Sequence, residues 1–172
     1  MRLRQLGRGL LAGAAASVVM NRYQRAISRR VAGYERAHGA QSVKAVPGAP
    51  EEDPTTAVAG AVGEAAGVPL RRREREAVGT LGHYLFGAAA GGLYAALPDG
   101  VRAAAGLPFG AAVWAGADLI ALPSARLTHG PGRIPFWQHA YSLSSHLVYG
   151  VFLELGLRSL EELHEQNDHR AA

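Results

Sequence analysis

The stretch 79-GTLGHYLFGAAAGGLYAAL-97 holds nineteen residues and no formally charged side chain. An α-helix rises about 1.5 Å per residue, so about 20 apolar residues cross the roughly 30 Å hydrocarbon core of a bilayer. The stretch therefore predicts a transmembrane helix. Its many glycines and alanines are typical of membrane helices whose backbones pack closely.

Three further apolar runs lie on either side of this stretch. Residues 102–122 form one run, interrupted by Pro108 and Asp118, and residues 136–157 form another. The run at 9–20 is short for a span and follows several arginines. It favours a first helix extended by snorkelling arginines, with an interfacial helix or a cleaved signal sequence as alternatives. Together the runs predict an all-α integral membrane bundle of four short transmembrane helices.

Composition divides the chain into four parts. Residues 1–38 carry the first helix and a basic extension, and residues 39–69, rich in Ala, Gly and Pro, predict a flexible linker. Residues 70–160 are expected to form a three-helix membrane core, followed by a polar C-terminal tail at 161–172. A soluble helical protein stays an alternative, because the mean hydropathy of the whole chain is +0.00.

The basic residues predict how the helices are oriented. The formal net charge is +4, and Lys and Arg concentrate in the loop 21–78. The positive-inside rule places this loop in the cytoplasm and the C-terminus outside, as in a multi-pass protein of the bacterial inner membrane. The expected partners are the lipid bilayer and anionic lipid at the basic loop. Nucleic acid is not an expected partner, because no aromatic side chains alternate with the basic ones, and a homo-oligomer stays open.

The chain contains no cysteine. Disulfide frameworks, Cys-ligated metals and thiol catalysis are therefore excluded, and any metal site is restricted to His, Asp and Glu ligands. The sequence indicates no cofactor.

Three motifs occur in order in residues 79–157: "GHYLFGAAAGGLY", "GLPFGAAVWAGADLIALP" and "HAYSLSSHLVYG". In these motifs the chain resembles the YagU-like family of bacterial inner-membrane proteins. The resemblance implies a small four-helix integral membrane protein and implies no particular reaction. Related sequences tend to have Asp followed by Glu after the tryptophan, whereas here Asp118 is followed by Leu119. A role that needs two adjacent carboxylates is therefore not expected.

Ionisable side chains lie inside the apolar runs, where charge is costly and usually faces the bundle interior. His83, Asp118 and His139 each fall about 5 to 7 Å inside the cytoplasmic face at 1.5 Å per residue. The last helix adds a polar stripe with spacings of three and four. The stripe consists of His139, Ser142, His146, Gly150 and Glu154. Supporting hydrogen bonds or packing are expected from Tyr84, Tyr94 and Trp114.

These polar groups leave several functions open. Interhelical hydrogen bonding without catalysis is favoured, so the chain is more simply a non-enzymatic protein for packing, partner binding, or small-solute or proton passage. The alternative is a membrane-embedded metal-dependent or hydrolytic enzyme centred on His83, Asp118 and His139. Of these two possibilities, the sequence favours three residues that bind no metal.

Glycine pairs four residues apart predict where helix backbones meet. The pairs are Gly9 and Gly13, Gly87 and Gly91, and Gly106 and Gly110, with Gly150 on the polar stripe. A glycine at this spacing lets a second helix approach without meeting a side chain. We therefore expect these glycines at helix–helix contacts.

Overall fold

A computed structural model describes residues 2–38, 54–102, 105–128, 130–134 and 136–171. All regular secondary structure in these ranges is helical. The α-helices are α1 (Arg2–His38), α2 (Pro54–Ala65), α3 (Arg72–Ala95), α4 (Asp99–Arg102), α5 (Gly106–Trp114), α6 (Leu122–Ser124) and α7 (Phe136–Ala171). A π-helix, Ala115–Ala121, joins α5 to α6, and a 3₁₀ turn, Pro131–Arg133, precedes α7.

Helix α1 lies between α3 and α7, and α5 lies against α7. Contacting residues run in opposite directions along each of these pairs. Gly9 of α1 meets Gly91 of α3, whereas Gly13 meets Gly87. Tyr23 of α1 bonds Ser144 of α7. All three helix pairs are therefore antiparallel, and α3 runs parallel to α7.

The helix pairs α1–α3 and α5–α7 meet through glycine. A Cβ added at Gly9 would lie 2.5 Å from the carbonyl oxygen of Gly91, and one at Gly106 would lie 2.6 Å from that of Gly150. Cβ atoms added at Gly13, Gly87, Gly91, Gly110 and Gly150 would also overlap the facing helix. The glycines whose spacing predicted close contacts thus lie where two backbones touch.

The buried core is small. Its apolar members are Ala12, Ala16, Met20, Ala59, Tyr94, Ala95, Tyr149, Leu153 and Leu157, and Ser17 and Ser145 are buried with them. Many larger apolar side chains point outward instead. They lie on α1, on α3, on the continuous helix from Gly106 to Ser124 and on α7. They include Leu10, Leu11, Val18, Leu81, Leu85, Phe86, Leu93, Leu107, Ile120, Phe152 and Leu155.

In the described ranges, one helix is long and apolar enough by length and composition to cross a membrane. It comprises α5, the π-helix and α6, from Gly106 to Ser124, with a mean hydropathy of 1.3. Only 11% of its residues are buried inside the structure. A core helix of a soluble protein would be mostly buried, so this helix leaves its apolar surface outward.

Two stretches that were expected to be a flexible linker and a polar tail contain helix. Residues 54–65 form helix α2 rather than irregular linker, while the rest of the predicted linker up to residue 53 lies outside the described part of the chain. Thr56, Ala59, Gly60 and Gly63 recur at helical spacing on the buried side of α2, which packs on α3. Small side chains that look like linker composition here allow close packing.

The second of these stretches is the C-terminal one. The expected polar tail from residue 161 continues α7 to Ala171, and α1 and α7 contain 37 and 36 residues. At about 1.5 Å per residue each is about 55 Å long, well beyond a short span. Both helices therefore extend past any 30 Å apolar layer.

Candidate functional site

Helices α5 and α7 bring the predicted polar stripe together in two separate groups. The aspartate cluster comprises Trp114, Asp118, His139, Ser142 and His146. The arginine cluster comprises Tyr94, Asp99, Arg102, Glu154, Arg158 and Glu161. The two groups lie towards opposite ends of the α5–α7 contact, because α7 is continuous from one to the other.

Asp118 lies in the π-helix and accepts a hydrogen bond from the hydroxyl of Ser142 on α7. The widened π-turn precedes Pro123, whose nitrogen has no hydrogen to donate and whose ring crowds the carbonyl group four residues back. The backbone N–H of Leu122 accordingly bonds the carbonyl of Ala117, five residues earlier. Local sequence thus produces the irregular turn that holds Asp118 against α7.

His139 lies at the edge of the aspartate cluster rather than on Asp118. Its Nε2 donates to the carbonyl oxygen of Pro131 at 2.9 Å, and its ring stands edge-on to Trp114 with 6.2 Å between ring centroids. The imidazole therefore ties the loop before α7 to the end of α5. The indole Nε1 of Trp114 is buried and bonds no other described residue.

His146 bonds to its own helix, because its Nδ1 donates to the carbonyl oxygen of Ser142 at 3.0 Å. The neighbouring hydroxyl groups of Ser144 and Ser145 donate to the carbonyl oxygen of Tyr141. The hydroxyl of Ser142 goes to Asp118. None of these three serines forms a serine–histidine pair of the kind that activates a nucleophile.

The set His83, Asp118 and His139 does not form a metal site. Throughout the ranges that the structure describes, no three His, Asp or Glu side chains are placed to hold one ion. The ring of His83 stacks at a tilt beside Tyr84, 5.8 Å away between centroids. A shared depth in three helices was the basis for the prediction, and depth alone does not decide which way each helix face turns.

Glycine packing interrupts the polar stripe between His146 and Glu154. A Cβ at Gly110 would overlap the carbonyl oxygen of His146, and one at Gly150 would overlap that of Gly106. Two backbones in contact leave no room for water molecules between them. The stripe is therefore not a continuous line of exchangeable groups along the α5–α7 contact.

Glu154 closes the start of α5. Its Oε2 accepts a hydrogen bond from the backbone nitrogen of Gly106 at 2.9 Å, and its other oxygen pairs with Arg158 one turn later. A carboxylate at a helix N-terminus satisfies a free N–H group and interacts favourably with the helix dipole. Glu154 thus joins α7 to α5, as Ser142 does near the other end.

Arg102 bridges two carboxylates in the arginine cluster. Its Nη1 lies 2.7 Å from Glu161 on α7, and its Nη2 lies 2.6 Å from Asp99. The side chain of Arg102 is 13% exposed. The hydroxyl of the buried Tyr94 donates to the carbonyl oxygen of Arg102 at 3.0 Å, so α3 joins the same group. This cluster lines a cavity of about 270 Å³.

Tyrosines join the remaining helices. Tyr149 on α7 donates to the carbonyl oxygen of Gly87 on α3 at 2.6 Å, and Tyr84 accepts from the side-chain amide of Asn21 on α1 at 3.0 Å. Tyr94 also packs on Phe109 of α5, with 4.9 Å between ring centroids. Each of these three tyrosines therefore joins two different helices through its hydroxyl group, while the hydrocarbon part of its ring fills the contact.

Sequence reasoning missed Arg102, Arg158 and Glu161. Their signal was the spacing of four between Glu154 and Arg158, together with one arginine at the start of an otherwise apolar run. The C-terminal charges were interpreted as a solvated tail instead. Only the fold brings Glu161 beside a residue 59 positions earlier.

We expect the Asp118–Ser142 bond to contribute a modest coupling energy. In a double-mutant cycle with Asp118→Ala and Ser142→Ala, the coupling should be about 0.6 kcal/mol and at most about 1.7 kcal/mol, the range found for interhelical bonds in membranes. Unfolding in mixed detergent micelles measures it. Ser159→Ala, an exposed serine on the same helix that bonds only Leu155, is the control. Strictly additive single effects would contradict the link.

Comparison of the chain with models of protein families, with characterised proteins and with solved structures gives no significant match.

Proposed function

We propose that the chain is a multi-pass protein of the bacterial inner membrane with four membrane-crossing helical segments: α1, α3, the helix from Gly106 to Ser124, and α7. The observation that carries this proposal is the outward position of large apolar side chains on all four segments, around a small core of alanine, tyrosine, serine, leucine and methionine side chains. Soluble monomers rarely expose large contiguous apolar patches to water. In lipid such a surface faces hydrocarbon, and small residues mediate the helix contacts.

The depth of α1 supports counting it as a span. Residues 9–21 of α1 lie beside residues 84–95 of α3, because Gly9 meets Gly91 and Ala95, and Asn21 meets Tyr84. A helix packed over this length against a membrane-crossing helix shares its depth in the bilayer. If α1 lay in the membrane interface, it would instead cross α3 and contact it at one end only.

The antiparallel order of the four segments gives them alternate directions. The exposed Arg22, Arg25, Arg29 and Arg30 then lie at the same end as the start of α3. With this end in the cytoplasm, both termini lie outside. The resemblance of three motifs to YagU-like proteins implies the same assignment.

We assign the polar stripe a binding role between helices rather than a transport or catalytic role. Asp118 joins the π-helix to α7 and Glu154 joins α5 to α7, and the glycine contact between them separates the two clusters. The function that this geometry supports is that of a non-enzymatic membrane protein, which binds lipid and membrane partners through its outward faces and its cytoplasmic basic segments.

Cysteine labelling tests the proposed topology against a chain that has no cysteine of its own. We expect Leu3→Cys, Gly100→Cys and Leu163→Cys to react with a membrane-impermeant maleimide in intact spheroplasts, whose inner membrane keeps its native orientation. Ala66→Cys and Gly130→Cys should react only after the membrane is permeabilised. All five positions are exposed, so lack of reaction reports the membrane and not burial.

Alkaline carbonate extraction of the same membranes is the companion measurement. The wild-type chain should stay with the membrane pellet and require detergent for release. Release into buffer without detergent, or labelling of Leu3→Cys and Ala66→Cys from the same side, would rule out the four-span arrangement.

A further inference from the structure

A second cavity lies at the cytoplasmic end of the proposed bundle, between α2, the start of α3 and the loop after α6. Its volume is about 240 Å³, and Gly60, Glu64, Arg75, Arg126 and Leu127 contribute to its lining. Pockets for drug-sized ligands begin at about 300 Å³, so this one suits a single small group. Among the described lining residues are two arginines and one glutamate, so these residues together carry a net positive charge.

Arg75 is held over the cavity by its surroundings. Its Nε donates to the carbonyl oxygen of Leu70 at 3.0 Å, and its Nη2 lies 4.0 Å from the carboxylate of Glu64. A Cβ at Gly60 would lie 3.2 Å from Nη1 of Arg75, so glycine leaves space for the guanidinium group. Glu64 is 70% exposed and sits at the distance limit of an ion pair. An anion can therefore compete with this one contact of Arg75.

Arg126 takes a backbone conformation that normally belongs to glycine. Its φ is 58°, and it is the only residue other than glycine with a positive φ in the described part of the chain. The N–H groups of Arg126 and Leu127 bond the carbonyl groups of Pro123 and Leu122, which is the Schellman ending of a helix. Glycine is the residue favoured at this position, because a Cβ makes the left-handed conformation costly. The chain carries an arginine there, on the rim of a cavity that already contains Arg75.

We infer that this cavity, at the cytoplasmic end of a membrane protein as proposed above, binds the phosphate group of an anionic phospholipid through Arg75 and Arg126. Arginine matches phosphate oxygens with pairs of parallel N–H groups. The cavity lies where the apolar helix ending at Ser124 meets the first turn of α3, which is headgroup depth in the proposed orientation. A free phosphate ester offers the same chemistry from solution, and the experiment separates the two sources.

Calorimetric titration of the detergent-solubilised full chain with dioctanoyl phosphatidylglycerol measures the binding, with dioctanoyl phosphatidylcholine as the zwitterionic comparison. We expect Arg75→Gln and Arg126→Gln each to weaken binding of the phosphatidylglycerol about fivefold. Glu64→Gln should strengthen it, because a competing carboxylate is removed. Arg73→Gln is the matched control: it removes the same charge from the same helix turn, but Arg73 does not line the cavity.

Arg126→Gly separates binding from folding. It relieves the left-handed backbone, so the melting temperature should rise while the affinity for phosphatidylglycerol falls about fivefold. If Arg126 contributed only to folding, Arg126→Gly would shift the melting temperature and the affinity for phosphatidylglycerol in the same direction. Displacement of the lipid by millimolar inorganic phosphate would assign the site to free phosphate esters as well, and failure to displace it would assign the site to membrane-held headgroups.

The inference is overturned if Arg126→Gly and Arg126→Gln bind phosphatidylglycerol as the wild type does, or if Arg73→Gln loses as much affinity as Arg75→Gln. Either result would indicate general attraction to a basic surface. Carbonate extraction of the same variants tests the membrane assignment independently of the lipid titration. A chain that stays in the membrane while its arginine variants bind normally contradicts only the site.

Discussion

Replacing Gly91 by isoleucine is expected to separate α1 from α3 and to lower the free energy of unfolding by about 3 kcal/mol or more. A Cβ at this position would overlap the carbonyl oxygen of Gly9 and lie 2.7 Å from the Cα of Gly13. Both obstacles are backbone atoms, which cannot rotate away as a flexible side chain can. The helices would have to move apart, and the contacts around Ala12 and Ala16 would be lost with them.

Gly82→Ile is the matched control on the same helix. No heavy atom lies within 4 Å of a Cβ built on Gly82. The substitution introduces the same side chain and also removes a residue of low helix propensity, so stability should stay within about 0.5 kcal/mol of the wild type. Thermal melting in detergent and the amount of folded chain in the membrane measure both variants. Equal losses for Gly91→Ile and Gly82→Ile would show that the glycine contact does not hold α1 to α3.

Replacing Arg102 by alanine is expected to cost about 2 to 3 kcal/mol. The guanidinium group is mostly buried and bonds both Glu161 and Asp99. Its removal leaves the carboxylate of Glu161, 27% exposed, without its partner at 2.7 Å. Breaking a shielded ion pair from one side costs more than the pair itself contributes, because the remaining charge stays partly desolvated.

Two further variants test the cause of this loss. Arg72→Ala removes an arginine from an ion pair with Glu76 whose members are 88% and 54% exposed, and should change stability by less than about 0.5 kcal/mol. The double variant Arg102→Leu with Glu161→Leu removes both charges and should recover part of the loss. Unfolding of all four chains in mixed micelles provides the comparison. No recovery in the double variant would contradict an electrostatic origin.

The glycine contacts could be predicted from the sequence because their signal is local. Spacings such as that of Gly106 and Gly110 place two small residues on one helix face, where a second helix can approach closely. The partner of each pair was not predictable, since nothing in the spacing says that Gly9 and Gly13 meet Gly87 and Gly91. That pairing depends on the order and direction in which four helices assemble.

The candidate site was predictable in the same limited sense. The stripe on α7 follows from spacings of three and four, and Asp118 and Glu154 do lie at the α5–α7 contact. The structure does not place His83, Asp118 and His139 to hold one ion, because equal depth does not determine the rotation of each helix. Arg102, Arg158 and Glu161 of the arginine cluster were missed, since they come from α4 and the second half of α7.

The sequence by itself determined the helical class, the small residues on each packing face and the positions of the ionisable groups along each helix, because these depend on periodicity within one segment. Only the tertiary structure decided which faces meet, that the polar stripe is divided at Gly150, and that Arg75 and Arg126 share a cavity. These features join residues far apart in the chain. Their positions follow from how whole helices pack, and no spacing within one segment records that.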